Sequence, residues 1–147
     1  MHVALANLTS RPIIALLAFT AWTLLLVGSI LITRTVLVAL GKKKANEFPA
    51  SVQHGTDRYW RLNRAHLNAL ENLPIFAAIV LGGAALGVSS PTLAKLSEFV
   101  VFARIAQSSL HILSGSASIV LLRGTAFGLQ IVAMFWMLVE TLKLCLP

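Results

Sequence analysis

Two sets of polar residues interrupt otherwise apolar sequence at helical spacing. Arg64, Asn68 and Glu71 stand at i, i+4 and i+7, and Arg104, Gln107 and His111 at i, i+3 and i+7. Each set lies on a single face of an α-helix. An ionised side chain costs ~2.5–3.5 kcal/mol at the centre of a membrane helix, so both faces must turn toward protein or a wet cavity. Together they describe a polar pocket between neighbouring helices, rich in cationic and amide groups and suited to a small anionic ligand. The same residues also allow structural readings. With the two helices antiparallel, Glu71 and Arg104 are placed to form an intramembrane ion pair that fixes register. Arg64 and Asn68 alone suit headgroup contact, and His111 alone suits a hydrogen-bonded core histidine.

Other chemistries find no support. No histidine and acid cluster has zinc-site spacing, no glycine-rich phosphate loop follows a strand, and no serine nucleophile motif is present. No metal is expected. The single cysteine, Cys145, excludes an intrachain disulfide and a cysteine metal cluster.

The elements that carry these residues belong to a membrane. The 147 residues are 57% hydrophobic with a mean hydropathy of +0.83, against roughly 45–50% apolar residues in soluble domains. About 20 helical residues cross a hydrocarbon core. Four stretches meet that length, at about 12–40, 64–87, 96–122 and 125–146. The expectation is an all-α integral membrane four-helix bundle, one domain over residues 1–147, whose first apolar run is a retained helix and not a signal peptide.

Glu98 and Glu140 fall near one end of the bundle, within reach of water or of Lys95 and Lys143, and carry no assigned chemistry. The run Ser114, Gly115, Ser116, Ala117, Ser118 reads as a close-packing stripe within the third helix. Trp60 reads as an interfacial anchor.

The formal charge of +7 does not indicate nucleic acid, because charged residues make up only 12% of the chain and the basic ones gather at one end. Lys42, Lys43, Lys44, Arg58 and Arg61 lie in the one long loop, flanked by Arg34 and Arg64, and Arg123 joins them from the third-to-fourth connection. The other end holds Arg11, Lys95 and Lys143. The positive-inside rule puts the long loop in the cytoplasm and both termini on the opposite face.

The stretch Arg64-Ala65-His66-Leu67-Asn68-Ala69-Leu70-Glu71, followed by Pro74 and Phe76, resembles the signature of the MAPEG family, the membrane-associated proteins of eicosanoid and glutathione metabolism. That family reads Arg-Ala-x-x-Asn-x-x-Glu with a Pro and an aromatic soon after, at the start of its second helix. The resemblance extends to His54-Gly55 in the long loop, to Phe102-Ala103-Arg104, and to Arg123-Gly124-Thr125-Ala126-Phe127 at the opening of the fourth helix.

It implies a homotrimer of four-helix subunits with glutathione, as co-substrate, between subunits near the cytoplasmic face. Asn68 and Glu71 match positions that hold the glutathione backbone, and Arg64 matches a basic residue of the same site. Gln107 and His111 stand in the helix-three part of that site. Arg123 matches the arginine that favours the thiolate. The implied function is a glutathione-dependent transferase or peroxidase acting on lipophilic electrophiles or lipid hydroperoxides, with membrane lipids as surroundings.

The chain departs from the family's enzymes where Gln107, His111 and Phe127 stand, positions that are commonly tyrosine or another specific polar residue there. It also offers Arg34 without a clear match at the end of helix one. The family contains a non-enzymatic lipid-binding member, so a non-catalytic lipid-binding or scaffold protein is the alternative. A small multidrug transporter is disfavoured because helix one carries no acid.

Overall fold

The computed structural model describes residues 2–49 and 52–146. Four helices, α1 (His2–Ala39), α2 (Asp57–Ala85), α3 (Pro91–Leu113) and α4 (Ala117–Cys145), make up the fold, with no strand among the described residues. Three helical segments, Ser10–Ala39, Asp57–Ala85 and Ala117–Cys145, are long and apolar enough to cross a membrane. α3 is not, because its composition is more polar. Its 23 residues nonetheless extend about 34 Å at 1.5 Å per residue. Its polar side chains Ser97, Arg104, Gln107, Ser108 and His111 are buried, while Phe99, Phe102 and Leu113 are exposed. That inverted distribution suits a helix inside a membrane bundle, where polar groups turn to protein and apolar ones to lipid.

α2 and α3 form the middle of the bundle. α1 packs on both, α4 packs on both, and α1 and α4 make no contact among the described residues. Phe19 of α1 and Phe76 of α2 are fully buried, with ring centroids 5.7 Å apart. Lipid tails are as apolar as leucine, so such close packing, more than expulsion of water, holds membrane helices together.

The helix limits differ from those read off hydropathy, and the differences matter for the site. α2 begins at Asp57, not near 64, because Thr56 caps it: the Thr56 hydroxyl oxygen accepts from the Tyr59 amide at 3.2 Å. Its first two turns are polar and escape a reading based on apolarity. α3 starts at Pro91, with Ser90 as N-cap accepting from the Leu93 amide at 3.1 Å. It ends at Leu113, not near 122.

Residues 114–116 are the turn into α4. Ser114 and Ser116 adopt extended backbone angles, and the Ser116 amide donates to the Ser114 hydroxyl at 3.1 Å. The small-residue run is therefore mainly a turn, and only its last members enter a helix. Arg123 and Gly124 lie within α4, not ahead of it.

At the opposite end, Glu98 pairs with Arg11 through two hydrogen bonds of 2.7 and 3.0 Å, and Glu140 accepts from the Ser90 hydroxyl at 3.5 Å. Neither makes an ion pair with Lys95 or Lys143.

The loop between α1 and α2 folds back on the bundle. Arg34 Nε donates to the Tyr59 hydroxyl at 2.7 Å, and its guanidinium lies 5.3 Å from the Phe48 ring centroid. His54 stands edge-on to Phe48, Tyr59 and Trp60. Gly55 allows the turn between them: its φ is +74°, and a Cβ there would meet the Tyr59 ring at 3.1 Å.

Candidate functional site: a cation-rich pocket between three helices

A pocket of about 590 Å³ opens at the basic end of the bundle. α2 supplies its longest wall as one stripe: Asp57, Trp60, Arg61, Arg64, Asn68 and Glu71. From Asp57 to Glu71 the stripe runs about 21 Å along the helix, reaching the middle of α2. α3 adds Gln107 and His111, and α4 adds Val120, Arg123, Gly124 and Phe127, again at the spacing of a single helix face. Gln53 of the loop and Gly115 of the turn complete the lining.

The structure thus brings Arg64, Asn68, Glu71, Gln107, His111 and Arg123 into one pocket. What these groups do within the chain separates them. Arg61 Nε donates to the Ile112 carbonyl at 3.2 Å, fastening the start of α2 to the end of α3. Gln53 Nε2 donates to Asp57 Oδ1 at 3.3 Å at the mouth. Arg64, Asn68, Glu71 and Arg123, by contrast, make no side-chain hydrogen bond or ion pair among the described residues. Two guanidiniums, a carboxamide and a carboxylate therefore face the same cavity with their hydrogen-bonding capacity unspent.

The expected ion pair between Glu71 and Arg104 is not formed within 4 Å. Glu71 is exposed on the pocket side of α2, whereas Arg104 is wholly buried behind the pocket. The Arg104 guanidinium sits 5.4 Å from the Phe19 ring centroid and 5.8 Å from that of Phe127, and its Nη1 donates to Gln107 Oε1 at 2.5 Å. Its charge is stabilised by two aromatic faces and a carboxamide, with Glu71 acting only at longer range. Arg104 shapes the pocket from behind by holding Gln107.

Arg34 does not reach the pocket wall, since it is committed to Tyr59 and Phe48. Trp60, read as an interfacial anchor, lines the pocket.

Sequence reasoning did not place Asp57, Trp60 and Arg61 in the site. The signal was present: carried backward from Arg64, the same helical face reaches Arg61, Trp60 and Asp57 once Thr56 is taken as a cap.

The fold and pocket define a small multi-pass helical membrane protein with a cation-rich cavity at one end. The chain belongs to the MAPEG family, whose profile matches residues 4–143, and so to a family of membrane proteins of glutathione and eicosanoid metabolism. No curated protein and no solved structure matched it.

Proposed function

We propose that the protein is a glutathione-dependent membrane transferase or peroxidase that acts on lipophilic electrophiles or lipid hydroperoxides. The observation that carries this reading is the set of unspent polar groups of Arg64, Asn68, Glu71 and Arg123 on one cavity. Glutathione bears two carboxylates, one ammonium and two amides. Arg64 takes a carboxylate, Asn68 and Gln107 meet the amides, and Glu71 meets the ammonium. His111 adds a further hydrogen-bonding ring at the α3 wall.

Arg123 supplies the chemistry. A thiol with a pKa of ~8.5 is mostly protonated at neutral pH, and an adjacent guanidinium lowers that value and raises the thiolate fraction. The thiolate sulfur attacks an electrophilic carbon of the acceptor, forming a C–S bond as the bond to a leaving group breaks and that group departs with the electron pair. At an activated double bond, the π pair moves instead to the neighbouring atom and takes a proton from water. With a hydroperoxide it takes the terminal oxygen, the O–O bond breaks and the alcohol leaves. A second glutathione then converts the sulfenic acid to the disulfide and water.

Glu71 and Arg64 are exposed on the flank of the single chain, and a carboxylate at mid-helix facing lipid is costly. A neighbouring copy covering that flank removes the cost, which supports an oligomer with glutathione held between subunits, a homotrimer by the family resemblance. The basic end faces the cytoplasm in this reading, and both termini lie across the membrane.

A second reading, a non-catalytic lipid-binding or scaffold protein, draws on one observation. The pocket wall of α4 carries Phe127, and the chain's one tyrosine, Tyr59, is held by Arg34 outside the pocket. Calorimetry of glutathione binding to the detergent-solubilised protein, beside an Asn68→Ala, Glu71→Ala double variant, tests the first reading. Saturable binding lost in the variant supports it, and no binding to the intact protein favours the second. Thiolate absorbance of bound glutathione then separates an enzyme from a mere binder.

A further inference from the structure

A second cavity, of about 460 Å³, shares no lining residue with the first. It lies on the other side of α2, between α1, the start of α2 and the end of α3. One wall is a single face of α1 carrying Trp22, Leu25, Leu26, Ser29 and Thr33, at i, i+3, i+4, i+7 and i+11. Leu62 and Ile112 close the apolar side, and Arg58 and Thr56 stand at the basic end.

Three features specify an occupant. From Thr33 to Trp22 the groove runs about 16 Å along α1, close to the depth of one hydrocarbon leaflet, about 15 Å. Its polarity is graded: leucines line the part below Ser29, while the α2 end presents an exposed arginine and an exposed hydroxyl. The Arg58 side chain makes no hydrogen bond or ion pair among the described residues, and the run Lys42 to Lys44 follows α1 at the same end. A free guanidinium above a leaflet-deep apolar groove is complementary to a phosphodiester carrying an acyl chain.

The geometry points to a binding site for an anionic phospholipid, its phosphate on Arg58 and Thr56 and one acyl chain along α1 toward Trp22. The site is independent of glutathione, because Asp57, Trp60, Arg61 and Arg64 turn to the other cavity while Arg58, Tyr59 and Leu62 turn to this one.

Trp22 is a built-in reporter. In nanodiscs of phosphatidylcholine, a Trp60→Phe, Trp136→Phe protein keeps Trp22 as its only indole. Mid-chain brominated phosphatidylglycerol at low mole fraction is expected to quench Trp22 as strongly as brominated phosphatidylcholine does at roughly five-fold higher mole fraction, the enrichment one basic side chain provides near an anionic lipid. Arg58→Gln in the same background is expected to abolish the difference while leaving quenching by phosphatidylcholine unchanged. Equal quenching by the two lipids, a preference that survives Arg58→Gln, or no quenching by either overturns the proposal. On the unaltered protein, native mass spectrometry from a mixed-lipid extract is expected to show a retained anionic phospholipid that Arg58→Gln loses. Retention of zwitterionic lipid in equal amount would count against the site.

Discussion

Arg34 Nε donates to the Tyr59 hydroxyl at 2.7 Å, joining the end of α1 to the first turn of α2. The bond takes up the chain's one tyrosine and an arginine that sequence comparison left without a role, and it holds the loop beside the pocket, not residues inside it. Tyr59→Phe is expected to lower stability by about 1.5–3 kcal/mol, the range for a hydrogen bond to a charged group, and, under the proposed function, to leave glutathione affinity within about two-fold, roughly 0.4 kcal/mol, because Tyr59 does not line the pocket. Thermal unfolding in detergent and binding calorimetry check the two parts. A large loss of affinity at unchanged stability would place Tyr59 in the site.

Arg123→Gln removes the one α4 cation of the pocket without touching an internal bond. Under the proposed function it raises the pKa of bound glutathione and lowers turnover by roughly 10- to 100-fold, within the span of pKa effects on thiol reactivity. Arg123→Lys is expected to restore part of the thiolate, because it keeps the charge and loses the planar fork. Ultraviolet titration of bound thiol reads the effect directly, and an unshifted titration in Arg123→Gln would remove Arg123 from the chemistry.

Among the described residues Gln107 is the one hydrogen-bond partner of the wholly buried Arg104 guanidinium. Gln107→Leu is therefore expected to destabilise by about 1.5–3 kcal/mol, the range for a hydrogen bond to a charged group. The double variant Gln107→Leu, Arg104→Met replaces both partners by apolar groups and is expected to recover most of that loss. Unfolding midpoints for the two singles and the double form a cycle. A strictly additive result would mean that the two side chains act separately.

Arg11 and Glu98 are partly exposed, at 45% and 38%, so their pairing contributes little in spite of its two short hydrogen bonds. Glu98→Gln is expected to cost about 1 kcal/mol or less, and the difference from the unaltered protein is expected to shrink at high ionic strength. Unfolding at low and high salt distinguishes this from a structural clamp, whose contribution would persist.

Several of these relationships were legible in the sequence. The faces Arg64, Asn68, Glu71 and Arg104, Gln107, His111 follow from residue spacing alone, and the family signature reinforced the first of them. Spacing does not give depth. Arg104 lies at the same angle as Gln107 and His111, but one turn further into the bundle, where Phe19 and Phe127 surround it, so it leaves the wall that its neighbours line.

The start of α2 escaped notice because a capped, polar first turn looks like loop to any measure of apolarity. The turn at 114–116 escaped because serine and glycine serve equally as turn formers and as close-packing residues. Only the backbone angles decide between them.

Cys145 is the single thiol of the chain, exposed in the last turn of α4, while the polar pocket lies on the first turns of that helix. The two ends of α4 are therefore chemically distinguishable without any engineering. A membrane-impermeant maleimide applied to sealed vesicles reports which compartment receives the C-terminal end, and because α4 is long enough to cross the membrane it also reports which compartment the pocket faces.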